Sequence, residues 1–168
     1  YPLRRQRQMC IRDSVWSGWG VTAEKGDIKP FEELLDHLFT DSDEGARKWF
    51  EQWLAYPLQN PGVKMFSSAV IHGVFHGTGK SLLGYTMGEI YGKNFTEIAG
   101  NDLHASFNDW AEGKQFIMGD DVTGSDKRAD ADYLKKLITQ KELRVNVKYL
   151  PSYLSLIHIS EPTRLLSI

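Results

Sequence analysis

The chain has 168 residues, a net charge of −2 at pH 7 and a single cysteine. These values exclude a disulfide framework, and they confine any nucleic-acid-binding surface to a local patch of basic residues. Because the sequence contains no run of about eighteen apolar residues, we predict no membrane-spanning helix and expect a soluble cytoplasmic protein. A chain of this length is long enough to bury the core of one domain.

The two ends of the chain differ in character from the residues between them. Codons for residues 9–14 and 154–159 can be chosen so that the two stretches are reverse complements over most of their length. Both stretches then resemble the transposon ends and adapters of sequencing libraries. We therefore interpret residues 1–14 and 154–168 as translated adapter sequence, and we expect the fold to come from residues 15–153. The N-terminal arginines then say nothing about nucleic-acid binding.

The first part of this insert, residues 15–62, is predicted to be a small helical segment with an irregular start. Residues 31–39 place their apolar side chains on one face, which predicts a helix. An acidic run that begins at Asp41 would cap a second helix ending near Ala55. The proline-containing stretch 56–62 is expected to break that helix.

A glycine-rich segment follows the apolar run 69–71, which predicts a core strand, and precedes a helix predicted over residues 82–90. Glycines let backbone N–H groups converge on an anion, and the N-terminus of the helix adds the positive end of its dipole. At this place a lysine can reach the outer phosphates of a nucleotide, and a serine hydroxyl can hold Mg²⁺. The candidate residues are Gly77, Thr78, Gly79, Lys80, Ser81 and Leu82.

The glycine pattern has one departure from the usual phosphate-binding loop. The first glycine, six residues before the lysine, would fall at Val74. The alternative interpretation is an ordinary glycine-rich turn before a helix. The combination of strand, glycine-rich turn and helix favours a site for a nucleotide and Mg²⁺.

The remaining elements alternate between strand and helix patterns. Strands are predicted at residues 95–98, 116–118 and 143–149, and helices at residues 105–110 and 130–139. Strands that alternate with helices around a phosphate loop predict an α/β layered domain.

Two aspartates come directly after the strand predicted at residues 116–118. A phosphate loop needs a carboxylate that helps to hold the metal ion and a second carboxylate that orients the attacking water. We assign the first role, acting through water, to Asp120, and the second role, that of a base, to Asp121. A glutamate is more usual as the base, and Asp121 is one methylene shorter. The alternative is that the two aspartates only begin a solvated loop.

Several motifs occur in an order that resembles one known family. They are Trp53-Leu54-Ala55, Gln59-Asn60-Pro61, Gly77-Thr78-Gly79-Lys80-Ser81, Ile90-Tyr91-Gly92-Lys93-Asn94-Phe95, Ser106-Phe107-Asn108-Asp109-Trp110, Leu134-Lys135-Lys136-Leu137-Ile138-Thr139 and Arg144-Val145-Asn146-Val147-Lys148. Together they resemble the helicase portion of phage and plasmid primase–helicases, in the superfamily 3 branch of AAA+ ATPases. The resemblance spans nearly the whole insert.

This resemblance implies a P-loop NTPase (AAA+-like) three-layer core over residues 63–153, truncated at its C-terminus. It implies a homo-hexameric ring in the intact protein, located in the host cytoplasm if phage-encoded, that hydrolyses ATP with Mg²⁺ and moves along single-stranded DNA. A basic residue on a hairpin after the acidic motif would contact the DNA. Lys148 fits that place best and Arg144 second; an exposed strand edge with solubilising charge is the alternative.

The same resemblance implies a sensor asparagine and an arginine finger beyond Tyr153. An arginine finger contributes about 10³–10⁵ in turnover, so we expect this chain to bind nucleotide and to hydrolyse it slowly. Two other functions remain open. One is a P-loop kinase or another phosphotransferase, and the other is a non-catalytic nucleotide-binding module for assembly.

Overall fold

The computed structural model describes residues 17–40, 42–73, 75–103, 105–120, 127–140 and 142–156. Its helices and strands are, in chain order, α1 (Lys29–Leu38), α2 (Glu44–Gln59), α3 (Lys80–Tyr91), β1 (Phe95–Ile98), α4 (Gly100–Leu103), β2 (Phe116–Gly119), α5 (Lys127–Thr139), β3 (Glu142–Val145) and β4 (Tyr153–Leu156). The fold is a mixture of helices and strands, which confirms the predicted α/β class, and the predicted three-layer core stays a prediction. No helix in these ranges combines the length and the apolar character needed to cross a bilayer.

The strands form two separate pairs. β1 and β2 are parallel, with Phe95 opposite Phe116 and Ile98 opposite Gly119, as expected for strands joined by a long connection. β3 and β4 form an antiparallel hairpin. The strands predicted at residues 95–98 and 116–118 are therefore confirmed.

Most of the core lies where α1, α2 and α3 meet. The buried residues of this cluster are Leu35, Phe50, Leu54, Leu83, Met87 and Tyr91. The Tyr91 ring stacks on Phe116 of β2, with 5.2 Å between the ring centroids, and burial raises the pKa of Tyr91 to about 12. The cluster thereby attaches the end of α3 to the sheet.

Two glycines bring α3 unusually close to the sheet. A Cβ added to Gly84 would lie 2.0 Å from Sδ of Met118, and one added to Gly88 would lie 2.8 Å from the Phe95 ring. Gly84 and Gly88 are one helical turn apart, so both lie on the face of α3 that contacts the strands. This contact fixes the N-terminus of α3 relative to the carboxyl end of β2.

Helix α2 is longer than the sequence predicted. It continues through Pro57 to Gln59 instead of ending near Ala55. A proline removes one backbone donor, and here the loss falls in the last turn of a helix whose Leu54 is buried, so packing holds the turn in place. The N-cap residue is Asp43, without a side-chain capping hydrogen bond, and Asp41 lies outside the described residues.

Two further predictions of secondary structure are wrong. The run 69–71 is not a strand, and Val70 is 82% exposed. Residues 105–110 are not an α-helix; helix α4 lies before them, and a short 3₁₀ turn covers Asp109–Ala111. An extended run becomes a strand only where a neighbouring edge offers it hydrogen bonds, and within the described ranges β1 pairs with β2 alone.

The strand predicted at residues 143–149 is shorter than expected. β3 ends at Val145, and a turn follows in which the Leu150 N–H donates to the Val147 carbonyl over 3.2 Å. The partner strand β4 includes residues 154–156, which the adapter interpretation would remove. That interpretation stays a prediction, and residues 1–14 lie outside the described residues.

Candidate functional site

The glycine-rich segment forms a turn that leads directly into α3. Gly77 has a φ of +73° and Gly79, the N-cap residue of α3, has a φ of +90°. These are left-handed conformations, which glycine adopts at no steric cost. Both glycines are therefore required by the path of the backbone, and Val74 lies outside the described residues.

The Lys80 side chain folds back over this turn. Its Nζ donates to the carbonyl oxygen of Phe75 over 3.0 Å and to Oγ1 of Thr78 over 2.9 Å. A Cβ added to Gly73 would lie 3.6 Å from the same nitrogen. The ammonium group thus lies within the concave side of the glycine loop, defined here as residues 75–82.

Ser81 contacts one of the two predicted carboxylates. Its Oγ lies 3.3 Å from Oδ2 of Asp120, a residue 39 positions further along the chain. The Asp120 N–H donates to the carbonyl of Ile98 over 3.2 Å, which continues the β1–β2 ladder by one bond. This bond holds the Asp120 carboxylate at the carboxyl end of the parallel sheet, next to the N-terminus of α3.

The structure therefore brings most of the predicted nucleotide-site residues together. Gly77, Thr78, Gly79, Lys80 and Ser81 form one loop, and Asp120 contacts it. Leu82 follows in α3 with 59% of its surface exposed. Asp121 lies outside the described residues, so its predicted role as a base stays a prediction.

A tyrosine–glutamate contact next to this site was not predicted. The Tyr85 hydroxyl lies 3.0 Å and 3.1 Å from the two carboxylate oxygens of Glu97, a β1 residue. The hydrogen bond to Glu97 is the main cause that raises the pKa of Tyr85. Because Tyr85 is four residues after Ser81, both lie on one face of α3. This spacing was visible in the sequence, but the strand partner was not.

The protein oxygens available to a metal ion at this place are few. Within the described ranges, no three histidine, cysteine, aspartate or glutamate residues form a group that could hold a metal. Mg²⁺ often binds through one or two protein oxygens together with phosphate and water. The Ser81 hydroxyl and the Asp120 carboxylate fit that pattern.

The two predicted DNA-contact residues lie on the β3–β4 hairpin. Nε and Nη2 of Arg144 donate to Oγ of Ser152 over 3.0 Å and 2.8 Å, so this guanidinium is held against the other limb of the hairpin. Lys148 lies in the turn, and its Nζ is 4.9 Å from the centroid of the Tyr149 ring. Both residues are exposed, and the two bonds to Ser152 leave the Arg144 guanidinium fewer donors for a partner.

Asn108 holds the loop before β2 against this hairpin. Its Nδ2 donates to the carbonyl of Arg144 over 2.9 Å, and its Oδ1 accepts from the N–H of Asn146 over 2.7 Å. The side-chain amide of Asn108 thus bonds to the hairpin backbone with one donor and one acceptor, as the peptide group of an adjacent strand would. The Asn108 backbone N–H also donates to the Asn146 carbonyl over 3.2 Å, so it is not bonded within an α-helix over residues 105–110.

A cavity of about 630 Å³ lies beside the β1–β2 pair. It is lined by the segment 62–71, by β1, β2 and α5, and by Trp53 and Tyr91. Lys64 closes one end by donating to the carbonyls of Leu137 and Gln140, and burial lowers the pKa of Lys64. The glycine loop and Asp120 do not line this cavity.

A comparison with protein families identifies the family to which the chain belongs. Residues 71–161, more than half of the chain, match a family described as "Family of unknown function (DUF5906)", and the chain is a member of that family. A comparison with curated proteins found no match.

A comparison with solved structures gives two apo structures of the C-terminal region of NrS-1. Each is 25% identical in sequence, with TM-scores of 0.61 and 0.65. The matches cover 80% of this chain but only 32% of the NrS-1 chains, so this chain spans about a third of their length. The comparison supports a likeness in fold to that C-terminal region, and the helicase and superfamily 3 parts of the predicted resemblance stay predictions.

Proposed function

We propose that this chain is the ATP-binding part of a DNA helicase or translocase from a phage-type replication protein. The observation that carries the proposal is the 3.3 Å contact between Ser81 Oγ and Asp120 Oδ2. The likeness to the C-terminal region of NrS-1 supports the replication context. The proposal includes a P-loop core of the superfamily 3 type, the role of Asp121 as base and a homo-hexameric ring.

The spacing of these two oxygens suits a shared cation. Mg²⁺ binds oxygen at about 2.0–2.1 Å, so two ligands of one ion lie at most about 4 Å apart. The 3.3 Å between Ser81 Oγ and Asp120 Oδ2 lies within this limit, so both oxygens could bind one ion directly. Asp120 could also bind the ion through a water molecule. A bound Mg²⁺ would neutralise phosphate charge. The residues of the chain would hold and orient the ion at the N-terminus of α3.

Lys80 is positioned to exchange its partners when a nucleotide binds. Its ammonium has three donors, and the bonds to Phe75 and Thr78 are both to neutral oxygens. Phosphate oxygens are charged and form stronger bonds with an ammonium. A triphosphate in the glycine loop would therefore displace these internal contacts.

The β3–β4 hairpin supplies the local basic surface that DNA binding requires. Arg144 and Lys148 are the charged residues between positions 143 and 156, so this part of the hairpin is entirely positive. Contacts between basic side chains and phosphates are independent of sequence and sensitive to salt, as movement along a strand requires. We assign the DNA contact to Lys148 first and to Arg144 second.

A small-molecule kinase is the less favoured function. Such an enzyme needs an acceptor pocket next to the phosphate loop, whereas the 630 Å³ cavity is lined by neither the glycine loop nor Asp120.

The Mg²⁺ dependence of nucleotide binding tests the proposed site. Titration of the chain with a fluorescent ATP analogue, in Mg²⁺ and in EDTA, should give tighter binding in Mg²⁺. Ser81→Ala and Asp120→Asn should each weaken the Mg²⁺-dependent affinity by roughly 10-fold, because each removes a polar group from a charged ion. Both variants should keep the affinity measured in EDTA.

Asp132→Asn is the matched control for Asp120→Asn, since Asp132 is an exposed carboxylate on α5. It should bind the analogue as the wild-type chain does. An unchanged Mg²⁺ dependence in both Ser81→Ala and Asp120→Asn would remove the proposed cation site.

A further inference from the structure

The turn between β3 and β4 contains a tyrosine in an unfavourable conformation. Tyr149 has a φ of +67°, and it is the one non-glycine residue with positive φ among the described residues. The turn is closed by the bond from the Leu150 N–H to the Val147 carbonyl, so Lys148 and Tyr149 are its two central residues. The second central position of a turn with positive φ usually holds glycine or asparagine.

Burial in the fold does not compensate for this conformation. Tyr149 is 89% exposed, and the next residue, Leu150, is 51% exposed. A residue in a sparsely populated backbone region points to a functional role when nothing in the packing accounts for it. Pro151 follows directly and restricts Leu150 to extended backbone, which limits the freedom of the turn.

From this geometry we infer that Tyr149 is a base-stacking residue for single-stranded DNA and that it acts together with Lys148. The inference rests on the proposed function and adds a contact to the bases. Lys148 Nζ lies 4.9 Å from the centre of the Tyr149 ring, so an aromatic face and a cation stand side by side at the tip of the hairpin.

A nucleotide of a single strand presents the two matching groups. Its base offers a π-face to the tyrosine ring, and its phosphate offers a negative charge to the lysine. Stacking of this kind does not depend on the base, because every base has a π-face. An apolar protein surface would match Leu150 and Tyr149 but not the adjacent ammonium, which favours nucleic acid as the partner.

The test compares two oligonucleotide probes of equal length, oligo-dT and a fully abasic strand, by fluorescence anisotropy at low salt. Tyr149→Asn removes the ring and keeps a residue that tolerates positive φ. It should weaken oligo-dT binding roughly 5- to 100-fold, the range for loss of one stacked base. It should leave the affinity for the abasic strand unchanged.

Two matched variants separate the ring from the charge. Tyr149→Phe keeps the aromatic face and should bind oligo-dT within about twofold of the wild-type chain, since stacking needs only the ring. Lys148→Ala should weaken binding to both probes, because both carry phosphates. Tyr149→Asn should have a thermal midpoint equal to or above that of the wild-type chain, since the exposed ring contributes little to packing and asparagine tolerates the positive φ.

The outcomes distinguish this inference from the proposed function. If the wild-type chain bound neither probe, the DNA contact of the proposed function would fail, and this inference with it. Two results would overturn only this inference, provided that the wild-type chain binds oligo-dT. In the first, Tyr149→Asn binds oligo-dT as tightly as the wild-type chain does. In the second, Tyr149→Asn loses the same affinity for oligo-dT as for the abasic strand. A change of sedimenting mass in Tyr149→Asn without any loss of oligo-dT binding would also overturn it, in favour of contact with a second copy.

Discussion

Lys80→Ala should lower the affinity of this chain for ATP in Mg²⁺ by roughly 10- to 100-fold. The ammonium lies within the glycine loop, 3.0 Å from the Phe75 carbonyl and 2.9 Å from Thr78 Oγ1. A hydrogen bond to a charged group contributes about 1.5–3 kcal/mol, which corresponds to the expected loss. Isothermal titration calorimetry of the two proteins with ATP gives the comparison.

Lys48→Ala is the control for the charge that Lys80→Ala removes. Lys48 is an exposed residue of α2, so its loss changes the net charge by the same amount without touching the loop. We expect its affinity for ATP to equal that of the wild-type chain. Equal affinities for all three proteins would mean that the glycine loop does not bind the phosphates.

Gly20→Ala should lower the free energy of unfolding by about 3 kcal/mol, at the upper end of the usual effect of overpacking. A Cβ at this position would lie 2.2 Å from the carbonyl oxygen of Glu89 and 2.7 Å from Cα of Gly92. The Gly20 N–H also donates to the Ile90 carbonyl over 2.8 Å. These neighbours are backbone atoms at the end of α3, so no side-chain rotation can relieve the clash.

Gly26→Ala is the matched control for this substitution. No atom lies within 4 Å of the added Cβ, and the residue is exposed, so its effect should stay within about 0.5 kcal/mol. Urea unfolding followed by tryptophan fluorescence measures both variants against the wild-type chain. Equal stability of Gly20→Ala and Gly26→Ala would mean that the N-terminal segment does not pack on α3.

The elements that could be predicted are those whose pattern is local. Strand β1 was predicted with its observed bounds, and β2 with one residue fewer. β2 is a short apolar run, and β1 begins and ends with an apolar residue, Phe95 and Ile98, directly after the Gly92-Lys93-Asn94 break, so the sequence marks where both begin. Helix α3 was also expected, because its glycine-rich start carries a distinct spacing.

The wrong predictions depend on partners that a sequence pattern cannot reveal. The run 69–71 is as apolar as β2, yet it forms no strand, because strand formation also needs a neighbouring edge. Residues 105–110 have a helical pattern, but the Asn108 side chain bonds to the backbone of Arg144 and Asn146. Helix α2 passes Pro57 because the surrounding core holds it.

The candidate site shows the same division. The spacing of Gly77, Gly79, Lys80 and Ser81 is local, and the structure places these residues in one turn. The position of Asp120 next to Ser81 was also expected, since a carboxylate after a parallel strand lies at the edge where a loop-to-helix turn begins. The contact between Tyr85 and Glu97 could not be expected without knowledge of how α3 packs on β1.

The central claim is that the glycine loop holds the phosphates of ATP. Hydrogen exchange of the wild-type chain, measured with and without saturating ATP and Mg²⁺, tests it most directly. Backbone N–H groups that bind an anion exchange more slowly, so we expect slower exchange at residues 77–82, and a smaller change in Lys80→Ala at an ATP concentration that saturates the wild-type chain but not the variant. Unchanged exchange at residues 77–82 under saturating nucleotide, or protection confined to other residues, would contradict the account.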